Sequence, residues 1–137
     1  MKGAKLRASN DCPFCIAIEK KTTVLSNRYA VVIRDNYPVT DGHSLIVPLR
    51  HTPLVFDLTQ EERKAIWKLL EEMRKKILAE DLSVTGFNIG VNAGTSAGQT
   101  INHCHIHLIS RRDGDTEDAT GGVRGVMPGK RKYTPKR

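Results

Sequence analysis

The segment HCHIHLI, residues 103–109, constrains the fold most strongly, because it places a histidine at every second position. Residues two apart in a β-strand lie on the same face of the sheet. On a helix these residues would give no apolar stripe, so the pattern predicts a strand. One face of that strand would carry His103, His105 and His107. The other face would carry Cys104, Ile106 and Leu108, which are apolar enough for a core.

Three further segments are predicted to be strands. Residues 29–35 and 43–50 are rich in valine, isoleucine and leucine, and residues 86–92 alternate between apolar and small or polar side chains. Only a loop of small residues, 93–100, separates the last of these segments from the histidine strand. The two strands are therefore predicted to pair as a hairpin, with most of the polar candidates gathered at one edge.

Residues 58–78 are predicted to form a long amphipathic helix. Thr59 and Glu62 have the spacing of an N-terminal capping box. Trp67 is expected to pack against the rest of the protein rather than to act in a site. One apolar stripe is formed by Ile66, Leu69, Leu70, Met73 and Ile77.

The net charge of +7 belongs mainly to one end of the chain. Residues 121–137 contain six basic and no acidic residues, so the remainder carries a net charge of only +1. A basic strip of this kind can attract phosphorylated ligands or RNA. A solvated tail without a ligand is the favoured interpretation, and nucleic acid is a less favoured partner.

Chain length and hydropathy favour one globular domain in the cytoplasm. A chain of 137 residues is long enough for a single domain with a sizeable core. No apolar run is long enough to span a membrane, and the basic N-terminus lacks the apolar stretch of a signal peptide. Cysteines in the cytoplasm stay reduced or bind metal.

The CPFC motif, Cys12 to Cys15, is a close thiol pair that points to a metal. The redox alternative expects a neighbouring βαβ pattern, which is not evident. A closed zinc site needs four ligands, and His51 and His103 are candidates for the other two. The competing hypothesis is a pair of buried, inert cysteines.

The histidine row permits two chemistries. Three histidines can bind a catalytic zinc whose water attacks the substrate. Alternatively, one histidine is itself the nucleophile toward phosphorus. The neighbouring loop, GVNAGTSAGQT, can bring backbone N–H groups close to an anion. This loop favours a phosphate held against the imidazoles.

The stretch GQTINHCHIHLISR resembles the signature of the histidine-triad (HIT) family, and the resemblance extends through RDNYPVTDGHSLIVPLRH, DLTQEE and FNIGVNAGTSAGQT. It implies an α+β fold, in which an antiparallel sheet of about five strands packs with one long and one short helix. It also implies a homodimer. Residues 1–11 would be a leader, 12–113 the HIT domain and 114–137 a basic C-terminal tail.

The resemblance implies a nucleotide hydrolase or transferase similar to the dinucleoside polyphosphate hydrolases. Such an enzyme cleaves a nucleoside monophosphate, here expected to contain adenosine, from a phosphate, amine or similar leaving group. His105 would attack and form a nucleotidyl-histidine, and His107 would contact the phosphate. Gln99 and Thr100 would lie beside the bridging atom. Asn92 would contact the phosphate, and Asp35 would hold the ribose.

The same resemblance implies a structural Zn²⁺ held by Cys12, Cys15, His51 and His103. Alternative functions are a nucleoside phosphoramidase, a nucleotidyl transferase, and a non-catalytic module that binds nucleotides or nucleic acid. Two departures from the family pattern are Cys104, interpreted as a small hydrophobic residue, and Ser110, where many members have proline.

Overall fold

A computed structural model describes residues 10–136 and shows one antiparallel sheet with two α-helices. The strand order across the sheet is β1-β2-β3-β5-β4. This architecture confirms the predicted α+β fold. The elements in chain order are α1 (Pro13–Glu19), β1 (Leu25–Ser26), β2 (Ala30–Arg34), β3 (Ser44–Pro48), α2 (Gln60–Glu80), β4 (Val84–Val91) and β5 (Ile106–Arg112).

Helix α2 covers one face of the sheet. Its capping box is formed as predicted, with the Glu62 N–H donating to the Thr59 hydroxyl and the Thr59 N–H donating to the Glu62 carboxylate. The five residues of the predicted apolar stripe are all buried, and they share a core with Cys104, Ile106 and Leu108. Trp67 is 58% exposed, so the expectation that it packs against the rest of the chain is wrong.

The opposite face of the sheet is covered by α1 and the residues around it. Cys12, Phe14 and Cys15 pack there with alternate residues of β2 and β3, namely Val31, Ile33, Leu45 and Val47. This second apolar cluster brings the CPFC motif to the face of the sheet that was predicted to carry the histidines.

The histidine strand begins later than the sequence predicts. β5 starts at Ile106, so His103 and His105 precede it as irregular backbone. The ladder between β3 and β5 is short, and it ends where Ile46 pairs with Ile106. Beyond that point the Cys104 N–H donates to the Thr52 carbonyl at 2.7 Å. The chain therefore joins the sheet only after it has passed the first two histidines.

The C-terminal tail folds back toward β4. It contains a 3₁₀ turn, Gly122–Val126, beside Asn88, and the Lys132 ammonium pairs with Asp118 at 2.7 Å.

The predicted leader, residues 1–11, lies outside the described residues except for its last two. Within residues 10–136, no helix has the length and apolar character that crossing a bilayer requires.

Candidate active site and metal site

A cleft of about 780 Å³ opens on the face of the sheet opposite α2. This volume lies within the range of small-molecule sites, about 300–1,000 Å³. Gly90 pairs with His107 across the β4–β5 ladder. Because Gly90 has no side chain, the space next to its Cα is open. Of the predicted site residues, the cleft is lined by Asp35, Asn92, Thr100, His105 and His107.

The hydrogen bond of His105 determines which of its ring nitrogens is available. Its Nδ1 lies 2.8 Å from the His103 carbonyl, which can only accept, so Nδ1 carries the proton. The neutral ring then has an unprotonated Nε2. A lone pair on Nε2 is what a nucleophile at this position requires.

His107 is held in the opposite orientation by His43, a residue that the sequence reasoning missed. The Val39 N–H donates to His43 Nδ1 at 3.0 Å, so the proton of His43 is on Nε2. That Nε2–H donates to His107 Nδ1 at 2.9 Å and lies 3.5 Å from the Asp35 carboxylate. His107 consequently keeps its own proton on Nε2 and can act as a donor. We call Asp35, His43 and His107 the relay cluster.

Burial keeps the two histidines of this relay neutral. The pKa of His43 is lowered mainly by desolvation, which the neighbouring charge of Asp35 partly offsets. The pKa of His107 is also lowered, first by desolvation and then by His105 and His43, with Asp35 again opposing. Neutral rings are required if each one is to donate from one nitrogen and accept at the other.

The side chain of Gln99 braces the loop between β4 and β5. Its carbonyl oxygen accepts from the Gly94 N–H at 2.9 Å, and its amide donates to the Pro53 and Ile101 carbonyls. It does not line the cleft with the other predicted residues. Gly94 and Gly98, at φ 98° and 92°, provide the positive φ angles that this tight loop requires.

Four predicted metal ligands converge beside the cleft. His51 Nδ1 lies 3.1 Å from His103 Nδ1 and 3.2 Å from the Cys15 sulfur, and His103 Nδ1 lies 3.4 Å from the Cys12 sulfur. Ligand atoms around a tetrahedral zinc are separated by about 3.3–3.6 Å when one of them is nitrogen. The quoted separations lie within or slightly below this range, and all four ligand atoms lie within 4.8 Å of one another, so the four residues could form a Cys₂His₂ site after small side-chain adjustments. We call them the metal cluster.

The protonation of His103 suits a metal ligand. Its Nε2–H donates to the Pro48 carbonyl at 2.9 Å, which leaves the lone pair of Nδ1 toward the cysteines. Burial is the main cause that lowers the His103 pKa to about 4, against the opposing effect of that hydrogen bond. The ring is therefore neutral, as metal ligation requires.

Two residues next in sequence to the histidines of the metal cluster, Arg50 and Cys104, have structural roles. Arg50 forms a bidentate ion pair with Glu62 of α2, at 2.8 and 3.0 Å, and so anchors the segment that carries His51. Cys104 lies on the other face, where burial raises its thiol pKa to about 12. Cys104 is therefore a core residue, as interpreted from the sequence.

Comparison with known proteins identifies the family. The profile described as HIT domain matches residues 18–114. The chain belongs to the HIT family. Cys12 and Cys15 lie just before the matched residues, so half of the metal cluster comes from outside them.

Relatives and solved HIT structures agree with this assignment. A HIT-like protein of Mycoplasma pneumoniae is 36% identical over 76% of this chain and 74% of its own length. The bis(5'-adenosyl)-triphosphatase of Dictyostelium discoideum is 38% identical over 59% of this chain and 54% of that enzyme. A Zn-bound histidine triad family protein from Mycobacterium smegmatis has a TM-score of 0.71 and 28% identity, and the match covers 79% of this chain and 80% of that one.

Proposed function

We propose that this HIT protein is a nucleotide hydrolase or transferase that works through a nucleotidyl-histidine intermediate. The observation that carries the proposal is the hydrogen bond from His105 Nδ1 to the His103 carbonyl, which leaves Nε2 unprotonated in the cleft. The similarity to a bis(5'-adenosyl)-triphosphatase supports an adenosine-containing dinucleotide as substrate.

In this mechanism His105 Nε2 attacks the α-phosphorus and the bond from phosphorus to the leaving group breaks. His107, protonated on Nε2 through the relay cluster, donates to a phosphate oxygen and stabilises the developing charge. Water or another acceptor then attacks the phosphorus and releases the nucleoside monophosphate. In this proposal Asp35 holds the ribose hydroxyls, Asn92 contacts the phosphate and Thr100 lies beside the bridging atom, and all three residues line the cleft.

Gln99 has a less direct role in this proposal. Its amide is engaged by the loop backbone, so it would reach the bridging atom only after those hydrogen bonds exchange. Until then it acts by holding the loop that places Thr100 at the cleft.

We assign a structural Zn²⁺ to the metal cluster. The mixed thiolate and imidazole ligands suit zinc, and four protein ligands leave no open position for a reactive water. This closed ligand set favours the histidine nucleophile over the alternative of a zinc-activated water. The Zn-bound neighbour from Mycobacterium smegmatis supports the choice of metal.

A trapping experiment tests the mechanism. Mixing the protein with diadenosine triphosphate labelled at the α-phosphate, followed by rapid quenching in base, is expected to leave AMP on the 103–107 peptide. His105→Ala should abolish the adduct and lower turnover about a thousandfold or more, because it removes the covalent route. Wild-type turnover by His105→Ala, with zinc retained, would favour the zinc-water mechanism. Tight binding without turnover of any nucleotide would favour a binding module.

We also propose that the protein is a homodimer paired through β4. This strand ends the sheet, and its Ile89 and Val91 are 44% and 38% exposed. Ile89 and the exposed Trp67 line one groove, which we call the β4 groove. An unpaired, apolar edge strand is a ready site for pairing with a second chain.

A cytoplasmic location stays a prediction.

Light scattering tests the assembly. The wild type should have twice the 15.3 kDa mass of one chain at micromolar concentration. Ile89→Lys should lower that mass toward one chain, whereas Leu82→Lys, at a site 90% exposed and outside the β4 groove, should not. A wild type of 15.3 kDa would contradict the proposal.

A further inference from the structure

The segment that carries the nucleophile is not held by the sheet. His105 precedes β5, and the backbone ladder between β3 and β5 ends one residue later, at Ile106. The hydrogen bond from the Cys104 N–H to the Thr52 carbonyl is the one described backbone bond that anchors residues 103–105 to the loop after β3. The position of His105 therefore depends on side-chain contacts.

Most of these contacts run through the ring of His103. Its Nε2–H donates to the Pro48 carbonyl, and its Nδ1 faces the two cysteine sulfurs and His51. His51 Nδ1 lies only 3.1 Å from His103 Nδ1, a distance that fits either a metal ion between two lone pairs or a proton on His51 Nδ1. Of these two, only a metal ion would also bind both cysteine sulfurs, and it would therefore hold the His103 ring to all three of its neighbours.

We propose that metal binding at Cys12, Cys15, His51 and His103 fixes the tautomer of His105. The bound metal would hold the His103 ring and, through it, the His103 carbonyl that accepts the Nδ1–H of His105. In this role His103 is a positioning residue, and the metal takes no part in the chemistry. The effect on turnover rests on the function proposed above, whereas the effect on the tautomer does not.

Phe14 provides a second connection between the metal cluster and the nucleophile. It lies between the two cysteines in sequence, and its ring packs 4.8 Å from the His105 ring and 5.8 Å from the His103 ring, measured between centroids. Metal binding at Cys12 and Cys15 would fix both ends of the short CPFC segment. Phe14 would then hold one face of the His105 ring, while the His103 carbonyl holds its Nδ1–H.

Removal of the metal should change both the tautomer of His105 and the turnover. A neutral histidine without a fixed partner populates both tautomers, and the tautomer protonated at Nε2 cannot attack through that nitrogen. Turnover at saturating substrate should fall about 10- to 100-fold, the usual cost of losing an orienting contact near a metal site. KM should change less, because Asp35, Asn92 and His107 line the cleft without belonging to the metal cluster.

The test compares the full-length protein in its zinc-loaded, chelator-stripped and zinc-restored forms. Nitrogen-15 NMR of labelled histidines reports the tautomer of His105 directly, and the His105→Gln spectrum identifies its signal. We expect a single tautomer protonated at Nδ1 with zinc, a mixture without it, and recovery of both tautomer and turnover on restoring zinc. Cys104→Ala is the matched control, because it removes a buried cysteine that is not a ligand. It should lower stability while leaving the His105 tautomer unchanged.

Each outcome bears on the inference. An unchanged tautomer and unchanged turnover in the stripped protein would overturn it. If stripping also unfolds α2, as seen by circular dichroism, the same spectra are recorded on His51→Gln, which keeps three ligands. A mixed tautomer in this variant supports the inference, and a fixed tautomer together with lost zinc overturns it. A fixed tautomer in loaded protein that yields no adduct would instead refute the proposed function.

Discussion

Two groups of side chains beside the cleft have the residue types of a metal site, yet their hydrogen bonds give them different roles. The metal cluster combines Cys12 and Cys15 with two histidines, and the relay cluster combines Asp35 with His43 and His107. In the metal cluster, His103 donates outward to a backbone carbonyl and presents a lone pair inward. In the relay cluster, His43 accepts from a backbone N–H and presents a proton inward.

This difference shows that backbone partners decide what an imidazole can do. A metal could bind His43 Nε2 only after the hydrogen bond from the Val39 N–H was lost or the ring became an imidazolate. The relay cluster is therefore suited to fixing which nitrogen of His107 donates a hydrogen bond toward the substrate. The metal cluster is suited to a cation, because two sulfurs and two imidazole nitrogens that can each bind a metal converge there.

The largest expected effect separates the clusters by metal content. Cys12→Ser should lower bound zinc from about one per chain toward none. Because a metal bound only by the folded state contributes about 3–4 kcal/mol at concentrations far above its Kd, the melting temperature should fall on the order of 10 °C. Asp35→Asn should keep its zinc. Metal analysis and calorimetry check both variants, and loss of zinc in Asp35→Asn would mean that the relay cluster also binds metal.

A smaller effect is expected in turnover when the relay is broken. His43→Phe keeps a ring of similar shape but removes both hydrogen bonds, so His107 loses its fixed tautomer. We expect turnover of diadenosine triphosphate to fall about 10- to 100-fold, less than for His105→Ala. His43→Gln, which retains an N–H donor, should recover part of the loss. Equal turnover in the Phe and wild-type proteins would show that the relay does not orient His107.

The smallest expected effect is on the pH dependence of the free energy of unfolding. The pKa values of His43 and His107 are lowered by burial, so the unfolded chain binds more protons than the folded one between those values and about 6.5. Stability therefore falls as the pH drops below about 6.5, by at most about 1.4 kcal/mol per unit for each histidine. Denaturant unfolding at several pH values should show a shallower fall in His43→Phe. An identical slope would indicate that folding does not lower the pKa of His43.

The local elements were largely predictable because their signals are local. The apolar stripe and capping box predict α2, whose observed range is Gln60–Glu80. The valine-rich segments predict β2 and β3, and the small-residue loop predicts the β4–β5 hairpin. The start of β5 was not predictable from alternation alone, because alternation continues through His103 whereas the ladder with β3 ends at Ile106.

His43 illustrates what a local pattern cannot reveal. The sequence places His43 at the start of a predicted strand, eight positions after Asp35. This spacing indicates only that a hairpin would bring His43 close to Asp35. Its contact with His107 requires β3 to lie beside β5, a neighbour far away in the chain. A long-range strand order of this kind is not encoded in any one segment.

The sequence by itself determined the helix, the strands, the apolar face of the histidine segment, and the residue types available for metal and phosphate chemistry. Only the tertiary structure decided which nitrogen of each histidine is free. That choice depends on single hydrogen bonds to Pro48, Val39 and the His103 carbonyl. These partners lie 55, 4 and 2 positions from the histidines that they orient, and the backbone path between them sets the distances. Imidazole presents similar donors and acceptors on both sides, so its role is fixed by what it faces.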